Sequence, residues 1–304
     1  MKDFDILINR IWFNYWYSFI FNNKILKNKT SLFLSQNINV TWDIIQANQD
    51  IPWDYAKLSS NVNITWSIIQ EHPEYDWDYD YLSENPNITI DIVLANQDKP
   101  WNPWSLSENI NTTWEIVQTY PHIAWCYALL SKNSNFTIEI ILANMDLEWD
   151  FDLLSENSSI TWDIVQNNPS IPWNFHGLSM NSNITWSIIQ NNLHYPWNFA
   201  SLIRNHNITL QIIEENDFMK HNYSDYLSYN PNITFDFINQ NPDIDWIFNP
   251  LSKNPFTFMK DTFVIDIKAR IDYFKKFVTE ELMMVVWHPK NFSKFKYLDD
   301  ELDL

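Results

Sequence analysis

The chain has 304 residues, 45% of them hydrophobic and 17% aromatic, and it carries a formal net charge of −19 at pH 7. Nucleic-acid binders neutralise phosphates with Lys and Arg, so this charge argues against nucleic acid and against an anionic membrane surface as partners. Glycine occurs once, at Gly177, which excludes the glycine-rich loops that cradle phosphates in nucleotide-binding folds.

The first element in chain order is an aromatic, apolar run over residues 11–21. It is shorter than the roughly 20 residues that a membrane-spanning helix needs. Polar residues interrupt it and no small-residue cleavage site follows, so it does not have the pattern of a secretory signal peptide. We therefore expect residues 1–33 to form an aromatic capping helix. The single cysteine, Cys126, indicates a reducing compartment, and we expect the protein not to be secreted.

From Leu34 onward the sequence repeats itself every 24 residues, with one residue inserted before Leu227. Most units carry a Leu-Ser pair, then Asn, Thr and Trp at fixed distances, and Leu202 is followed by Ile203 instead of Ser. The Leu positions are Leu34, Leu58, Leu82, Leu106, Leu130, Leu154, Leu178, Leu202, Leu227 and Leu251. Self-similarity of this kind is the signature of stacked repeats. We predict ten units over residues 34–254.

Two short helices of seven to nine residues are predicted in each unit. Thr41 is a suitable N-cap for a first helix from Trp42 to about Asn48. Pro52 suits the first position of a second helix that continues through Leu58. Such short helices are unstable alone, so each must pack on its neighbours. The predicted core consists of the equivalents of Trp42, Ile44, Ile45, Trp53, Tyr55 and Leu58.

A β-solenoid is the alternative for the repeat. Ile64, Trp66 and Ile68 alternate as in a strand, but Ile69 breaks the alternation and the cap residues favour helices. The predicted fold class is therefore an all-α solenoid of two-helix repeats, α/α or α/3₁₀, with helical caps.

Three rows of polar residues run along the repeat. The Asn rows, which begin with Asn37 and Asn39, are expected to satisfy backbone groups in the turns and to tolerate unusual dihedral angles. A Gln row in the first helices either lines a binding face or is simply solvated. Its members are Gln46, Gln70, Gln118, Gln166 and Gln190.

The unit resembles the leucine-rich repeat variant, in which a helix ending in Asn-Pro precedes a proline-initiated helix that ends in Leu and a small residue. This resemblance covers residues 34–274 and implies a superhelix of alternating α and 3₁₀ segments. The phrases Asn-Ile-Thr-Trp-Asp-Ile-Ile-Gln and Leu-Ser-x-Asn-x-Asn are similar to Trp- and Asn-rich repeat proteins of mimivirus-like giant DNA viruses. That resemblance implies a location in the host cytoplasm or the virion and brings no biochemical function.

Residues 255–304 leave the pattern. They are predicted to contain the last partial repeat, a capping helix from Phe263 to Val286 and an acidic tail over residues 299–303. The Trp287-His288-Pro289 module is either a docking signal or part of the cap.

Residues that could carry chemistry are sparse. Cys126 has no base beside it in the sequence, and His122 and His194 lie three units apart, too far to share a metal. Asp76 and Asp78 lack the glycine of a calcium loop and fit an acidic helix start. We predict no catalytic residue, no cofactor and no metal.

The sequence is consistent with two functions. One is a non-enzymatic scaffold or adaptor that binds a host or viral protein with a neutral or basic surface. This is favoured because residues 34–252 hold 27 acids and five bases. The alternative is a structural virion component that packs against copies of itself or a capsid layer.

Overall fold

A computed structural model describes residues 2–22 and 31–277. The chain divides into two compact units, Met1–Thr257 and Phe258–Leu304. Within the described ranges the structure is helical and contains no β-strand, so the predicted all-α repeat solenoid is confirmed. None of the described helices combines the length and the apolar character that crossing a bilayer requires.

Each complete repeat begins with a first helix of six residues that starts after the recurring threonine. Thr41 takes the predicted N-cap position with extended backbone, but its side chain makes no capping hydrogen bond, whereas Thr113 Oγ1 accepts from the Ile116 N–H at 3.4 Å. At the other end the recurring Trp holds the helix terminus, since Trp53 Nε1 donates to the Asn48 carbonyl at 2.9 Å. The first helices are α2 (Trp42–Ala47), α4 (Trp66–Glu71), α6 (Ile90–Ala95), α8 (Trp114–Thr119), α10 (Ile138–Ala143), α12 (Trp162–Asn167), α14 (Trp186–Asn191), α16 (Leu210–Glu215) and α19 (Phe235–Gln240).

A second helix of four to six residues follows. Its elements are η1 (Ser31–Gln36, a 3₁₀ helix), α3 (Tyr55–Leu58), α5 (Tyr79–Glu84), α7 (Pro103–Glu108), α9 (Tyr127–Leu130), α11 (Phe151–Glu156), α13 (Phe175–Met180), α15 (Phe199–Ile203), α18 (Ser224–Leu227) and α20 (Phe248–Lys253). Both helices are shorter than predicted.

The prediction that Pro52 opens the second helix is wrong. Asp54 supplies the N-cap and accepts a hydrogen bond from the Lys57 N–H at 3.0 Å. The residues before it form a tight turn, in which the Trp53 N–H bonds the Ile51 carbonyl at 2.8 Å. This turn keeps the chain out of helical geometry until the carboxylate can satisfy the first N–H groups.

The two residues of the Leu-Ser pair make different contacts. Leu58 is fully buried in the core. Ser59 Oγ donates to the Tyr55 carbonyl at 3.0 Å and accepts from the Asp78 N–H of the next repeat at 2.9 Å. Each serine therefore ties its second helix to the start of the following one. The same pair of bonds recurs at Ser83, Ser107, Ser131, Ser155 and Ser179.

The Asn rows connect consecutive repeats. Asn61 Nδ2 donates to the carbonyls of Ser35 at 2.9 Å and Asn37 at 3.0 Å in the preceding repeat, while its Oδ1 accepts from the Asn63 N–H at 2.9 Å. The predicted structural role is therefore confirmed. Phe256 is the one described non-glycine residue with positive φ, at 45°, so the asparagines make these bonds without left-handed backbone geometry. Equivalent bonds are made by Asn85, Asn109, Asn133, Asn157, Asn181, Asn205 and Asn230.

This ladder of hydrogen bonds also joins the first repeat to the last. Asn37 Nδ2 donates to the carbonyls of Ser252 at 2.9 Å and Asn254 at 3.0 Å, and Asn39 Nδ2 donates to the Pro255 carbonyl at 2.8 Å. In addition, η1 packs on α20 as α5 packs on α7. The ten repeats of residues 31–257 therefore form a closed ring. The terminal repeats, which were expected to need caps, cover each other at a seam between η1 and α20.

The second helices form the inner wall of this ring. Second helices of neighbouring repeats pack directly on one another, as α11 does on α13, whereas no two neighbouring first helices in the described chain pack so closely. Equivalent elements of a closed ring approach each other most closely at the smallest radius. The first helices therefore form the outer layer.

The N-terminal helix α1 (Lys2–Asn22) lies across the seam. The described repeats supply no first helix between α19 and α2, and α1 packs there against α2 and α20. Its Phe19 stacks on Phe235 of α19 with ring centroids 3.8 Å apart. Trp12 and Trp16 are fully buried, so the aromatic run forms a helix that is buried along one side.

The repeat with the inserted residue departs from the others in its connector. There α17 (Asp217–Asn222) stands where the other repeats have the Trp-containing turn. Ile203 takes the place of the serine, so the hydroxyl that would accept from the next repeat is missing. The ladder continues, because Asn230 Nδ2 donates to the carbonyls of Ile203 at 2.6 Å and Ile208 at 2.9 Å.

The last described helix, α21 (Thr257–Phe277), begins earlier than the predicted start at Phe263. Its predicted continuation to Val286, the Trp287-His288-Pro289 module and the acidic tail lie outside the described residues, as do residues 23–30 of the predicted N-terminal cap.

Closure of the ring makes a prediction about equivalent asparagines. Asn37→Ala removes three buried hydrogen bonds, and we expect the free energy of unfolding to fall by about 2–3 kcal/mol. Asn133→Ala, halfway along the chain, should be equally destabilising, because a ring gives both side chains the same surroundings. Urea unfolding of the full chain measures both. The exposed control Gln46→Ala should change stability by less than about 0.5 kcal/mol. A loss at Asn133 with none at Asn37 would mean that the ring is open.

Candidate functional site

The predicted Gln row lies on the outer layer of the ring. Gln46 and its equivalents Gln70, Gln118, Gln166 and Gln190 are all exposed, each at the fifth position of its first helix. The ring therefore brings the five residues onto one continuous layer. Exposure suits both a binding face and simple solvation, so the role of this row stays a prediction.

A second row on the outer layer consists of carboxylates, and we call it the acidic row. It occupies the second position of the first helices, where an acid complements the positive end of the helix dipole. Because this position is three residues before the Gln row, the two rows lie on the same side of each helix. All members are exposed: Asp43, Asp91, Glu115, Glu139, Asp163 and Asp236.

The few basic residues of the repeats are concentrated on the inner wall. Of the five bases in residues 34–252, three lie on or directly after second helices: Lys57, Lys132 and Arg204. Of the others, Lys220 is in α17, and Lys99 pairs with Asp98 at 3.2 Å in a connector. The first helices themselves carry carboxylates and no bases, so the surface that these helices form is negatively charged.

Part of the inner wall is also acidic. Glu84 at the end of α5 lies near Glu108 of α7 and near Asp78 and Asp80 of its own repeat. Burial raises the pKa of Glu84 above its ordinary value, and the negative charges of these three carboxylates raise that pKa further.

Around the seam, the inner wall carries basic instead of acidic side chains. Bases and aromatic rings from six consecutive repeats follow one another there, and we call this set the basic arc. In ring order its members are Arg204, Tyr229, Lys253, Phe33, Lys57 and Tyr81. The aromatic side chains make cation–π contacts with these bases. Lys253 Nζ lies 4.5 Å from the centre of the Phe33 ring, and Arg204 Cζ lies 5.1 Å from the centre of the Tyr229 ring.

The residues considered for catalysis or metal binding are not brought together. Within the described ranges, no group of three or more His, Cys, Asp or Glu residues is placed to hold a metal ion. Cys126 is half-buried at the start of α9, where its backbone N–H donates to Ser107 Oγ at 3.0 Å. Asp78 caps α5 by accepting from the Asp80 N–H at 2.8 Å, which confirms the acidic helix start.

No protein-family model matches the chain, and no curated protein or solved structure is significantly similar to it. The resemblances to the leucine-rich repeat variant and to giant-virus repeat proteins therefore stay predictions.

The basic arc was missed from the sequence. Phe33 and Lys253 stand more than 200 positions apart in the sequence and meet because the ring closes. A signal was nevertheless present. Lys132, Arg204 and Lys253 follow the recurring serine position directly, and this is one register position of the repeat.

The raised pKa of Glu84 makes a prediction about pH. The folded chain keeps the Glu84 proton at pH values where the unfolded chain has lost it, so stability falls as the pH rises above the unfolded value of Glu. Glu84→Gln cannot ionise, so we expect the melting temperature of this variant to fall less than that of the wild type between about pH 4 and 7. Thermal unfolding followed by circular dichroism measures this, with the exposed Glu148→Gln as control. Identical pH profiles for wild type and Glu84→Gln would refute the interpretation.

Proposed function

We propose that the protein is a non-enzymatic binding scaffold whose outer layer recruits a protein with a basic or neutral surface. Repeat solenoids offer extended surfaces on which many similar shallow sites recur. Here the acidic row and the Gln row supply such sites in successive repeats. Carboxylates accept hydrogen bonds from Lys and Arg, and the neighbouring amides both donate and accept.

The observation that carries this proposal is the single sign of charge on the first helices. The acidic row is exposed throughout, and the first helices that carry it contain no bases. A surface with one sign of charge accelerates the approach of an oppositely charged partner and disfavours like-charged ones.

The exposed rows are also held in position. The first helix that carries Asp43 and Gln46 begins at Thr41 and is fastened at its end by Trp53 Nε1. Its Ile44 and Ile45 are fully buried. A surface that is already ordered loses little conformational entropy on binding, which favours recognition through many individually weak contacts.

Self-assembly through the outer layer is the less favourable alternative. A structural component that packs against copies of itself through this layer would bring acidic rows face to face. Like charges placed directly opposite each other cost several kcal/mol. The charge of the outer layer therefore favours a different partner over a second copy.

Neutralising the acidic row tests the proposal. A six-fold variant converts Asp43, Asp91, Glu115, Glu139, Asp163 and Asp236 to their amides. We expect the immobilised wild type to retain a discrete host or viral protein from lysate at low salt, and the variant to lose at least about tenfold of that binding, since several charge contacts disappear together. Affinity of the purified partner, measured by surface plasmon resonance, quantifies the loss.

The control has the same change of net charge at another place. It converts six exposed connector acids: Asp50, Asp76, Asp98, Asp146, Glu148 and Asp243. Equal loss in both variants would show that overall charge, and not the acidic row, attracts the partner. Recovery of the protein itself and capsid proteins alone would reject the scaffold and support the structural alternative.

A further inference from the structure

The basic arc stands out because the molecule as a whole is acidic. Residues 34–252 contain 27 acids and only five bases. Even so, Arg204 and Lys253 line one cavity on the inner wall, and Lys57 lies close enough to Lys253 to shift its pKa. Lys57 comes from the start of the repeats and the other two bases from their last third, and closure at the seam brings them together. The arc is therefore a property of the closed ring and of no single repeat.

Aromatic rings hold the cations of the arc without cancelling their charge. Phe33 contacts two ammonium groups, with its ring centre 5.3 Å from Lys57 Nζ and 4.5 Å from Lys253 Nζ. Tyr229 contacts the Arg204 guanidinium at 5.1 Å. A cation–π contact stabilises a cation through the ring quadrupole, so the full positive charge remains available to an anion.

No described carboxylate neutralises these cations. The ion pairs among the described residues join His72 to Glu74, Lys99 to Asp98 and Lys132 to Glu156, so none involves Lys57, Arg204 or Lys253. Burial lowers the pKa of Lys253, and the positive charge of Lys57 lowers that pKa further. The two ammonium groups therefore repel each other, and an anion bound beside Lys253 would relieve this repulsion.

The packing of the ring does not require these charges. At the register position of Arg204 and Lys253, other repeats carry Ser60, Met180 and the neutral Gln36. At the position of Lys57 they carry residues such as Leu129. The same helices pack with neutral side chains at these positions, so the bases of the arc are free to serve a ligand.

A cavity of about 490 Å³ lies at the arc. Arg204 and Lys253 provide its charge, none of the described residues that line it is a carboxylate, and Phe33, Tyr229, Pro231 and Pro250 form much of its apolar wall. Cavities of this volume, with apolar walls and a few converging polar groups, are typical of small-molecule sites. A concave site of this size favours a small ligand over a folded protein.

We infer that this cavity, which we call the seam pocket, binds a small phosphorylated molecule with a planar or apolar body. A phosphate group carries up to two negative charges and three acceptor oxygens, which match several convergent cations. The Arg204 guanidinium can bind two of those oxygens at once, and Lys253 supplies a point charge. The proline and tyrosine walls receive the body of the ligand.

Calorimetric titration of the full-length chain tests the inference with two probes. Inorganic pyrophosphate carries the anion alone, and adenosine triphosphate adds a planar body. Arg204→Met/Lys253→Ser introduces residues that other repeats carry at the same position, so its melting temperature should match the wild type. Each cation contributes about tenfold to affinity, and we therefore expect this variant to bind pyrophosphate about 100-fold more weakly.

The matched control, Lys99→Gln/Lys132→Ser, removes two bases outside the seam pocket and should bind both probes as the wild type does. Tyr229→Leu should weaken binding of the nucleotide more than binding of pyrophosphate, because Tyr229 forms part of the apolar wall as well as contacting Arg204. The inference is overturned if neither probe binds the wild type more tightly than about 1 mM, or if the control loses as much affinity as the pocket variant. A Tyr229→Leu variant that binds the nucleotide unchanged would overturn the role of the apolar wall.

Discussion

The hydrogen bond from an asparagine amide to the carbonyls of the preceding repeat is the interaction on which the whole ring depends. Each second helix is too short to be stable alone, and its turn leaves buried carbonyls that need a donor. The amide of Asn61, or its equivalent, provides two N–H groups that reach the preceding repeat. Asn37 makes the same two kinds of bond to the last repeat, so the row of hydrogen-bonded asparagines is continuous around the ring.

Closure determines how the rest of the sequence is used. Neighbouring repeats in a ring of ten are rotated by about 36° relative to each other. This rotation brings the second helices close together on the inner side and leaves the first helices further apart on the outer side. The wider outer spacing is filled by large aromatic side chains, such as Trp66 and Trp101 with ring centroids 5.6 Å apart. At the seam, where the described repeats lack a first helix, the aromatic side of α1 packs instead. The recurring tryptophans therefore both fill this space and hold the ends of the first helices.

Much of this architecture was predictable from the sequence because it depends on local chemistry. The period, the two helices, the Thr41 cap and the structural use of asparagine all follow from residue types at fixed spacing. The start of the second helix was misjudged, since Pro52 suggested a helix start and the Asp54 cap was the stronger signal. Closure was not predictable, because it depends on a small rotation per repeat that packing sets. The seam pocket was missed for the same reason, since Phe33 and Lys253 meet only when the ring closes.

A cysteine cross-link across the seam tests closure most directly. In a Cys126→Ser background, Gln36→Cys/Ser60→Cys joins two neighbouring repeats whose side chains lie 3.1 Å apart, and Gln36→Cys/Lys253→Cys joins the same register positions across the seam. A bismaleimide cross-linker joins both pairs without requiring disulfide geometry, and mass spectrometry of the monomer reports each cross-link. A closed ring predicts that both pairs form intramolecular cross-links with similar yield. A cross-link in the first pair and none in the second would contradict closure.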